Sequence, residues 1–423
     1  MSKVIVFKFG GASVKDAKSI KNLFNILFKR LQKPTIIVIS AMGKSTNSLE
    51  AILNLKVQKN DYSSNISIFE NYHLEICQQL FPSKHPIFSE LDKQFILLKE
   101  TIEEDLDIDK YDEFYDQVIC FGELISTKIV QSFLLHSRIN CEWLDARSCI
   151  STDSDYRFAK VNWEKTKQNC DEILQPLLKK GPVITQGFIG RDSIGKTTTL
   201  GREGSDFTAS ILGACMNASE VTIWKDVDGV LNADPKIFEN TTKFDELDYK
   251  EAAELTYYGA SVIHPKTIKP LANSNIPLFV KSFLNPNESG TIIHNVAKSN
   301  QTPCLVLKTD QILVSFRVND FTFINESYIR QIYGVLEKLK LKVNLLQTSA
   351  ISISIVIDEQ KFKLEKLIHE LEADYTIRYN EKLYLLTIKN HNPALIKEIT
   401  QEKEIMLEQL TRHTFQMVYK PSL

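Results

Sequence analysis

A lysine, two adjacent glycines and a serine separate an apolar strand pattern from a helical one near the start of the chain. The strand is predicted over residues 4–7, and apolar residues at helical spacing predict a helix from Ala17 onward. The residues between them include Lys8, Gly10, Gly11 and Ser13. Glycine lets backbone N–H groups approach an anion closely, a helix N-terminus adds a positive dipole end, and lysine adds a full charge. The segment is therefore either a phosphate cradle or a tight turn with a solvated lysine, and its order of residues differs from the P-loop.

A second glycine-rich turn, residues 199–206, leads into a helix of small residues predicted over 207–216. It carries Arg202, Ser205 and Asp206. Ser205 or Asp206 could simply cap the helix, since both residue types are common at that position. A guanidinium group, however, binds a carboxylate through two parallel hydrogen bonds. The arginine therefore favours an anion site at this turn.

Three further features allow a functional and an ordinary structural interpretation. The Asp/Gly/Pro loop 225–236 has a lysine at each end, which suits a nucleotide but is also common turn composition. It lacks the alternating oxygen ligands and closing glutamate of an EF-hand. Glu123, on a predicted helix, could bind an ammonium group, although a lone helical glutamate usually faces solvent. His264 precedes a proline and is interpreted as a structural histidine rather than a catalytic base.

The remaining apolar pattern predicts an α/β fold with a parallel sheet. A second buried strand is predicted over residues 35–40, so the first strand, the helix and this strand form a right-handed βαβ unit. Ligands bind beyond the carboxyl ends of such strands, where both the segment 8–13 and the loop 40–47 would lie. Residues 49–137 read as a helical insertion or lid, and further strands are predicted over 139–144, 182–189, 220–224 and 276–282.

From about residue 302 the pattern changes to that of a small α+β domain. Strands over 311–318, 342–348, 351–357 and 375–379 alternate with helices over 326–339 and 361–372, which is the ferredoxin-like order. A second copy begins with elements over 383–388, 393–402, 405–410 and 414–419 but lacks a final helix and strand. Residues 304–308 could supply a missing strand from upstream.

Composition limits the class of protein. The chain has 423 residues, enough for two or three domains, and its 51 Lys+Arg and 53 Asp+Glu give a formal net charge of -2. Neither a basic field for nucleic acid nor an apolar run of about 20 residues for a membrane is apparent. The N-terminus enters a strand at once, which leaves no room for a signal peptide. The seven cysteines are scattered singly, as in reduced cytoplasmic proteins. A cytoplasmic location is expected.

Six segments, taken together and in this order, resemble the aspartate kinases: KFGGAS, VISAMGKSTN, FGELIST, TLGREGSD, VDGVLNADPK and YYGASVIHP. The resemblance runs through the whole chain. It implies an amino-acid-kinase-type parallel-sheet sandwich over residues 1–296, with the helical insertion at about 49–137. It also implies ACT-type ferredoxin-like modules over 302–423, the second of them abbreviated. The implied reaction is phosphorylation of the L-aspartate β-carboxylate by MgATP, giving 4-phospho-L-aspartate for lysine, threonine and methionine synthesis.

The resemblance also implies roles for individual residues. Lys8 and the amides of Gly10 and Gly11 would hold the transferring phosphoryl group, with Ser13 adding a hydroxyl. Ser40 and Thr46 would line the site, Glu123 would bind the substrate ammonium group, and Arg202 and Ser205 would bind a substrate carboxylate. Asp206 would organise Lys8 rather than act as a strong base, because a carboxylate nucleophile is already ionised at pH 7. The ATP-binding positions implied are Asp226, Leu231, Asp234, Lys236 and Ser261. Mg²⁺ would be held mainly by phosphates and water.

The chain departs from the family pattern at three places. Glu203 replaces the glycine that is commonest between Arg202 and Gly204, and it could weaken or orient that arginine. Ser261 stands where the family often has a nucleotide-binding lysine, and Lys225, where a threonine is common, could restore that charge. The shortened second ACT module leaves open whether an effector binds.

Two alternatives stay open at this point: a non-catalytic amino-acid sensor with a degenerate kinase body, and a sibling carboxylate kinase such as glutamate 5-kinase. N-acetylglutamate kinase is a third possibility of the same kind, but an acetylated amine needs no anion such as Glu123. The resemblance further implies a homodimer formed through the ACT modules. Lysine, or else threonine, is the expected effector.

Overall fold

The computed structural model describes residues 3–259, 263–295, 301–319 and 322–421. The chain divides into two compact units. The first comprises Met1–Val230, Lys243–Ala253 and Ser261–Ser299, and the second comprises Leu231–Thr242, Glu254–Ala260 and Asn300–Leu423. The domain limits expected at residues 296 and 302 stay a prediction, and the loop 231–242 belongs to the second unit.

The first unit contains an eight-stranded sheet and a small hairpin. Its strands are β1 (Ile5–Phe9), β2 (Thr35–Ile39), β3 (Glu142–Leu144), β4 (Val183–Gln186), β5 (Ile189–Arg191), β6 (Thr197–Thr199), β7 (Glu220–Lys225), β8 (Glu246–Asp248), β9 (Leu278–Ser282) and β10 (Thr291–His294). The sheet order is β3-β4-β2-β1-β7-β9-β10-β8, and β5 pairs with β6. All neighbours in the large sheet are parallel except β9 and β10. Every residue of β1 and β2 is buried, which confirms the prediction of strands covered on both faces.

Helices flank this sheet. In chain order, the α-helices up to residue 295 are α1 (Ala17–Phe28), α2 (Ser45–Val57), α3 (Ser63–Leu80), α4 (Ile87–Glu103), α5 (Tyr111–Ile119), α6 (Phe121–His136), α7 (Trp163–Asn169), α8 (Gln175–Leu178), α9 (Gly204–Cys215), α10 (Tyr249–Tyr258) and α11 (Pro265–Asn273). The helical character expected over 49–137 is confirmed. Helices α2 to α6 form much of the hydrophobic core of the unit.

One local expectation near the N-terminus is wrong and another is confirmed. The first strand extends to Phe9, so Lys8 lies on β1 and not in the turn. Gly11–Val14 form a short 3₁₀ turn, and α1 begins at Ala17, as expected. The Asp16 carboxylate accepts a hydrogen bond from Ser19 N at 2.7 Å and so occupies the N-terminus of α1. The N-terminus of α1 is therefore capped by the side chain of Asp16.

The stretch Ile108–His136 is apolar and long enough to cross a membrane by composition, contrary to the expectation that no such run exists. Its most apolar window is 78% buried inside the protein. Packing in the core explains this composition, since α5 and α6 both contribute buried side chains to it. All seven cysteines are unpaired by disulfides and buried.

The second unit is built on a six-stranded antiparallel sheet. Its strands are β11 (Cys304–Val318), β12 (Val343–Thr348), β13 (Ser352–Asp358), β14 (Tyr375–Lys389), β15 (Ile405–Leu410) and β16 (Thr414–Tyr419), and its helices beyond residue 300 are α12 (Glu326–Lys338), α13 (Lys361–Leu371) and α14 (Pro393–Thr400). The sheet order is β12-β13-β11-β14-β16-β15. The expected ferredoxin-like order is thus present. Residues 304–308 supply the upstream strand, because they are the first part of β11.

Strands β11 and β14 are each 15 residues long and run through both halves of this sheet. Residues 311–317 of β11 pair with β13 and also with the first half of β14. Residues 304–308 pair with the second half of β14, which in turn pairs with β16. The register shifts between Lys308 and Leu313, where the two halves meet. The sequence predicted separate strands over 304–308 and 311–318, and again over 375–379 and 383–388. In the structure, the first two form the single strand β11 and the other two form the single strand β14.

Candidate active site

A cavity of about 510 Å³ opens in the first unit at the carboxyl ends of β1, β2 and β7 and the N-terminus of α9. Ligands bind at this edge of open parallel sheets. The lining includes the following residues singled out from the sequence: Lys8, Gly11, Ser40, Thr46, Glu123, Arg202, Glu203, Ser205, Asp206 and Lys225. The fold thus brings together residues that are more than 200 positions apart in the chain.

A buried aspartate between two lysines forms the charged centre of the cavity. Lys8 Nζ lies 2.6 Å from Asp206 Oδ1, and Lys225 Nζ lies 3.3 Å from Asp206 Oδ2. Burial would raise the pKa of Asp206, but the two positive charges outweigh it and hold that pKa below the usual value. Asp206 is therefore ionised near neutral pH. The three groups together carry one net positive charge, which suits a phosphoryl group that gains negative charge during transfer.

Glu123 on α6 is only 3% exposed, so the solvent-facing interpretation is wrong. Its Oε1 accepts a hydrogen bond from Ala41 N at 3.3 Å. Its Oε2 is buried and has no hydrogen-bond partner in the described part of the chain. Burial raises the pKa of this carboxyl to about 8. A buried carboxylate that lacks a cation is costly, and a ligand ammonium group in the cavity would supply one.

Two backbone segments meet closely below the charged centre. Gly43 N donates to Gly11 O at 3.1 Å, and a Cβ added at Gly11 would lie 2.8 Å from Ala41 O and 2.9 Å from Gly43 O. Only glycine fits at position 11 without moving the loop after β2. That loop carries Ser40 and, at the start of α2, Thr46. Ser126 Oγ donates to Ser40 O at 2.7 Å and thereby ties the loop to α6.

The start of α9 differs from the one expected from the sequence. Helix α9 begins at Gly204, so Ser205 and Asp206 lie inside its first turn, and their interpretation as N-cap residues is wrong. The N-cap position is taken by Glu203, whose side chain makes no capping bond. Its φ of 54° is left-handed, a conformation that glycine adopts more readily than glutamate. The pKa of Glu203 is raised overall, because burial and the charge of Asp206 outweigh the nearby lysine and arginine charges, which lower it.

The free energy of unfolding of Glu203→Gly is expected to be about 1 kcal/mol higher than that of Glu203→Ala. The reason is that the left-handed conformation costs a residue with a Cβ roughly 1–2 kcal/mol. Both variants remove the carboxylate, so their difference isolates the backbone. Urea unfolding of the two proteins, followed by circular dichroism, measures it. Equal stabilities would show that the turn relaxes without strain.

Other residues proposed from the sequence do not line this cavity. Gly10 immediately precedes the 3₁₀ turn, and a Cβ added there would lie 3.3 Å from Lys8 Nζ. The buried Ser13 lies within the turn, and Ser13 N donates to Gly10 O at 2.9 Å. Asp226 is exposed after β7. Leu231, Asp234 and Lys236 lie in the second unit, where Asp234 Oδ1 accepts from Lys236 N at 2.9 Å in an exposed turn. Ser261 lies outside the described residues. The ATP-binding roles of these positions stay predictions.

Comparison with known proteins places this geometry in a family. The model of the amino acid kinase family matches residues 3–282. Lysine-sensitive aspartokinase 3 of Escherichia coli is 29% identical over 399 residues, with 92% of this chain and 87% of that protein covered. The crystal structure of E. coli aspartokinase III with aspartate and ADP (R-state) is similar at a TM-score of 0.84 and 26% identity, with 99% of this chain and 96% of that chain covered. The chain belongs to the aspartokinases of the amino acid kinase family.

A second state of the same relative is also similar to this aspartate kinase. The E. coli aspartokinase III structure with lysine and aspartate (T-state) has a TM-score of 0.78 at 26% identity and covers 99% of this chain and 96% of that chain. Both solved structures thus extend over nearly all of this chain. The fold class expected from the sequence, a parallel-sheet kinase body followed by antiparallel regulatory modules, is confirmed.

The kinase cavity also contains residues that no sequence pattern indicates. Glu50 and Tyr115 line it, and Tyr115 Oη donates to Glu50 Oε1 at 2.5 Å. The guanidinium carbon of Arg157 lies 4.3 Å from the centroid of the Tyr115 ring. The buried Asp116 holds this region in place, because it accepts hydrogen bonds from Arg157 N at 2.9 Å and Thr199 N at 2.7 Å. No motif marks these residues, so only the folded chain reveals them.

Proposed function

We propose that this kinase transfers the γ-phosphoryl group of ATP to the β-carboxylate of L-aspartate in the first-unit cavity, giving 4-phospho-L-aspartate and ADP. A carboxylate oxygen forms the new bond to phosphorus, and the bond from phosphorus to the β,γ-bridging oxygen breaks. No proton moves, because the nucleophile is already ionised at neutral pH. Catalysis therefore depends on positioning and on stabilising charge.

Each charged group of the cavity has a distinct part in this proposal. Glu123 binds the substrate ammonium group, and Arg202 with Ser205 binds a substrate carboxylate. Lys8 stabilises the charge on the transferring phosphoryl group, and Asp206 positions Lys8 through the 2.6 Å ion pair. Lys225, also paired with Asp206, supplies a second cation toward the phosphates. The observation that carries the proposal is the buried Glu123 oxygen that has no partner among the described residues, in the same cavity as these cations.

Mg²⁺ is proposed to accompany ATP and to be held by phosphate oxygens and water. The side chains fit that arrangement: among the described residues no group of three or more His, Cys, Asp and Glu side chains could hold a metal. Asp206, the buried acid at the centre of the cavity, is engaged by two lysines. Mg²⁺ is commonly bound through one or two carboxylates and the substrate phosphates. Bound there, it would neutralise phosphate charge.

The wider role is proposed from relatives. An aspartate kinase supplies activated aspartate for lysine, threonine and methionine synthesis, and one relative is named lysine-sensitive. We propose inhibition by lysine through the second unit, a homodimer joined by its ACT modules, and a cytoplasmic location. The comparisons give no support to a non-catalytic sensor or to a glutamate kinase.

One assay tests the proposed reaction. ADP release from MgATP is measured with L-aspartate, L-glutamate and N-acetyl-L-glutamate, with Asp206→Ala as the control variant. Turnover selective for aspartate and lost in the control is expected, and added lysine should reduce it. Turnover with glutamate instead would contradict the substrate assignment. Activity unaffected by lysine, threonine and methionine would contradict the proposed regulation alone.

A further inference from the structure

The first unit has a second cavity, of about 850 Å³, on the other side of α9 from the kinase cavity. Residues 155–167, α9 and α11 form its lining. Small-molecule sites commonly measure roughly 300–1,000 Å³. The proposed kinase reaction uses none of the residues that face only this second cavity, so the cavity is not part of the proposed active site.

Aromatic rings form the apolar part of the second cavity. Phe158, Trp163 and Phe207 line it, with the rings of Trp163 and Phe207 6.4 Å apart in an edge-to-face arrangement. Phe158 is 46% exposed and Trp163 is 43% exposed. Rings left this open in a concave site would bury apolar area if a ligand entered. An apolar body is therefore part of what the cavity accepts.

Lysines surround these rings. Lys160 comes from the segment that precedes α7, and Lys266 and Lys269 come from one face of α11. Within the described part of the chain, none of the three lysines forms an ion pair with a carboxylate oxygen within 4 Å. A fourth lysine, Lys167, is paired with Asp171. Asp155 is the one acidic side chain of the lining as the described residues define it. The lining of the second cavity therefore carries more positive than negative charge around its aromatic rings.

We propose that the second cavity binds a small organic anion with an aromatic or aliphatic body. The rings would pack against that body, and Lys266, Lys269 and Lys160 would pair with its acidic group. This class of ligand differs from aspartate, whose body is almost entirely polar.

Occupancy of the second cavity is also coupled to the kinase cavity in this proposal, through Phe158. This residue lines both cavities. A Cβ added at Gly201, in the turn that carries Arg202, would lie 3.2 Å from the Phe158 ring, and Ala159 N donates to Thr199 O at 3.0 Å. Helix α9 likewise presents Asp206 to one cavity and Phe207 to the other. A ligand that shifts Phe158 therefore presses on the substrate-binding turn.

Two fluorescent probes test the site on the full-length protein: 8-anilinonaphthalene-1-sulfonate, an aromatic anion, and its neutral counterpart N-phenyl-1-naphthylamine. Lys266→Glu combined with Lys269→Glu is expected to raise the Kd of the anionic probe at least about tenfold and that of the neutral probe less than about twofold. The control pair, Lys18→Glu with Lys21→Glu on α1, has the same spacing and charge change and should alter neither Kd. Lys266→Gln with Lys269→Gln should weaken the anionic probe by at least about threefold, which provides a test if the charge-reversed pair misfolds.

Several results would overturn the proposal. The anionic probe would bind elsewhere if both glutamate pairs raised its Kd equally, or if neither did. A probe-dependent change in molar mass, read by light scattering, would instead identify the cavity as a contact between two copies of the chain. At saturation, the probe is expected to change the KM for aspartate at least about threefold in the unmodified protein, and an unchanged KM would refute the coupling through Phe158. Because probe binding is read without ATP or aspartate, its failure is independent of the proposed reaction.

Discussion

Lys8→Met is expected to lower kcat by about 10²–10³-fold while changing the KM for aspartate only a few-fold, since removing one preorganised charge contact to a transition state typically costs that much. Lys8 is buried beside Asp206 at the end of β1, so its charge is fixed before the reaction begins. In the proposed function, substrate binding depends on other groups, Glu123 and Arg202. Steady-state measurement of ADP release across aspartate concentrations separates kcat from KM.

Lys225→Met is the matched comparison for Lys8→Met, because it also removes one of the two cations on Asp206. It leaves the closer ion pair in place, and we expect a smaller loss of kcat together with a higher KM for ATP. Thermal unfolding of both variants controls for loss of structure. Equal effects of the two substitutions on kcat and both KM values would contradict distinct roles for the two lysines.

Glu123→Gln is expected to raise the KM for aspartate by about a hundredfold, or about 3 kcal/mol, because a buried charge pair that loses one partner costs about that much. The amide keeps the size of the side chain, so the cavity retains its shape. Succinate, which lacks the ammonium group, provides the control substrate. The ratio of kcat/KM for aspartate to that for succinate should fall in the variant, and an unchanged ratio would exclude Glu123 as the ammonium ligand.

The same residue predicts a pH dependence. The free enzyme holds a proton on Glu123 up to a pKa of about 8, so the ionised form that binds an ammonium group increases as the pH rises. The value of kcat/KM for aspartate reports groups of the free enzyme. It should therefore rise from about pH 6 through pH 8 and level off near pH 9, about one unit above this pKa, whereas Glu123→Gln should be flat in this window. A rise that persists in the variant would assign the titration to another group.

Local patterns predicted much of the fold because they reflect local causes. The apolar run of β1 identifies a buried strand, which the structure confirms. The glycines after it were expected to let the backbone approach an anion, and Gly11 is also held against the backbone of the loop after β2. The pairing of Lys225 with Asp206 could not be predicted in this way. It depends on β7 lying beside β1, which is a property of the sheet order. Arg157 is a similar case, since a loop far from any motif carries it into the cavity.

The predicted strand boundaries were wrong where short polar segments have the composition of a turn. Residues 309–310 and 380–382 interrupt the apolar alternation, so separate strands were expected on either side. In the structure β11 and β14 continue through these places, with Asp310 at φ 53° and Lys382 at φ 55°. A left-handed residue next to a register shift lets a strand absorb the polar residues and keep its direction. Such an irregularity leaves little trace in hydrophobic periodicity.

The two long strands of the second unit limit how this region can evolve. Domains are usually gained, lost or exchanged at linkers where few interactions cross. Between the two halves of this sheet there is no such linker, because β11 and β14 each belong to both. A cut between the halves would sever two strands at once and leave unpaired edges on both pieces. The two regulatory modules are therefore inherited as one, and the loss of a helix from the second is a change that this shared frame tolerates, because 304–308 of β11 complete its four strands.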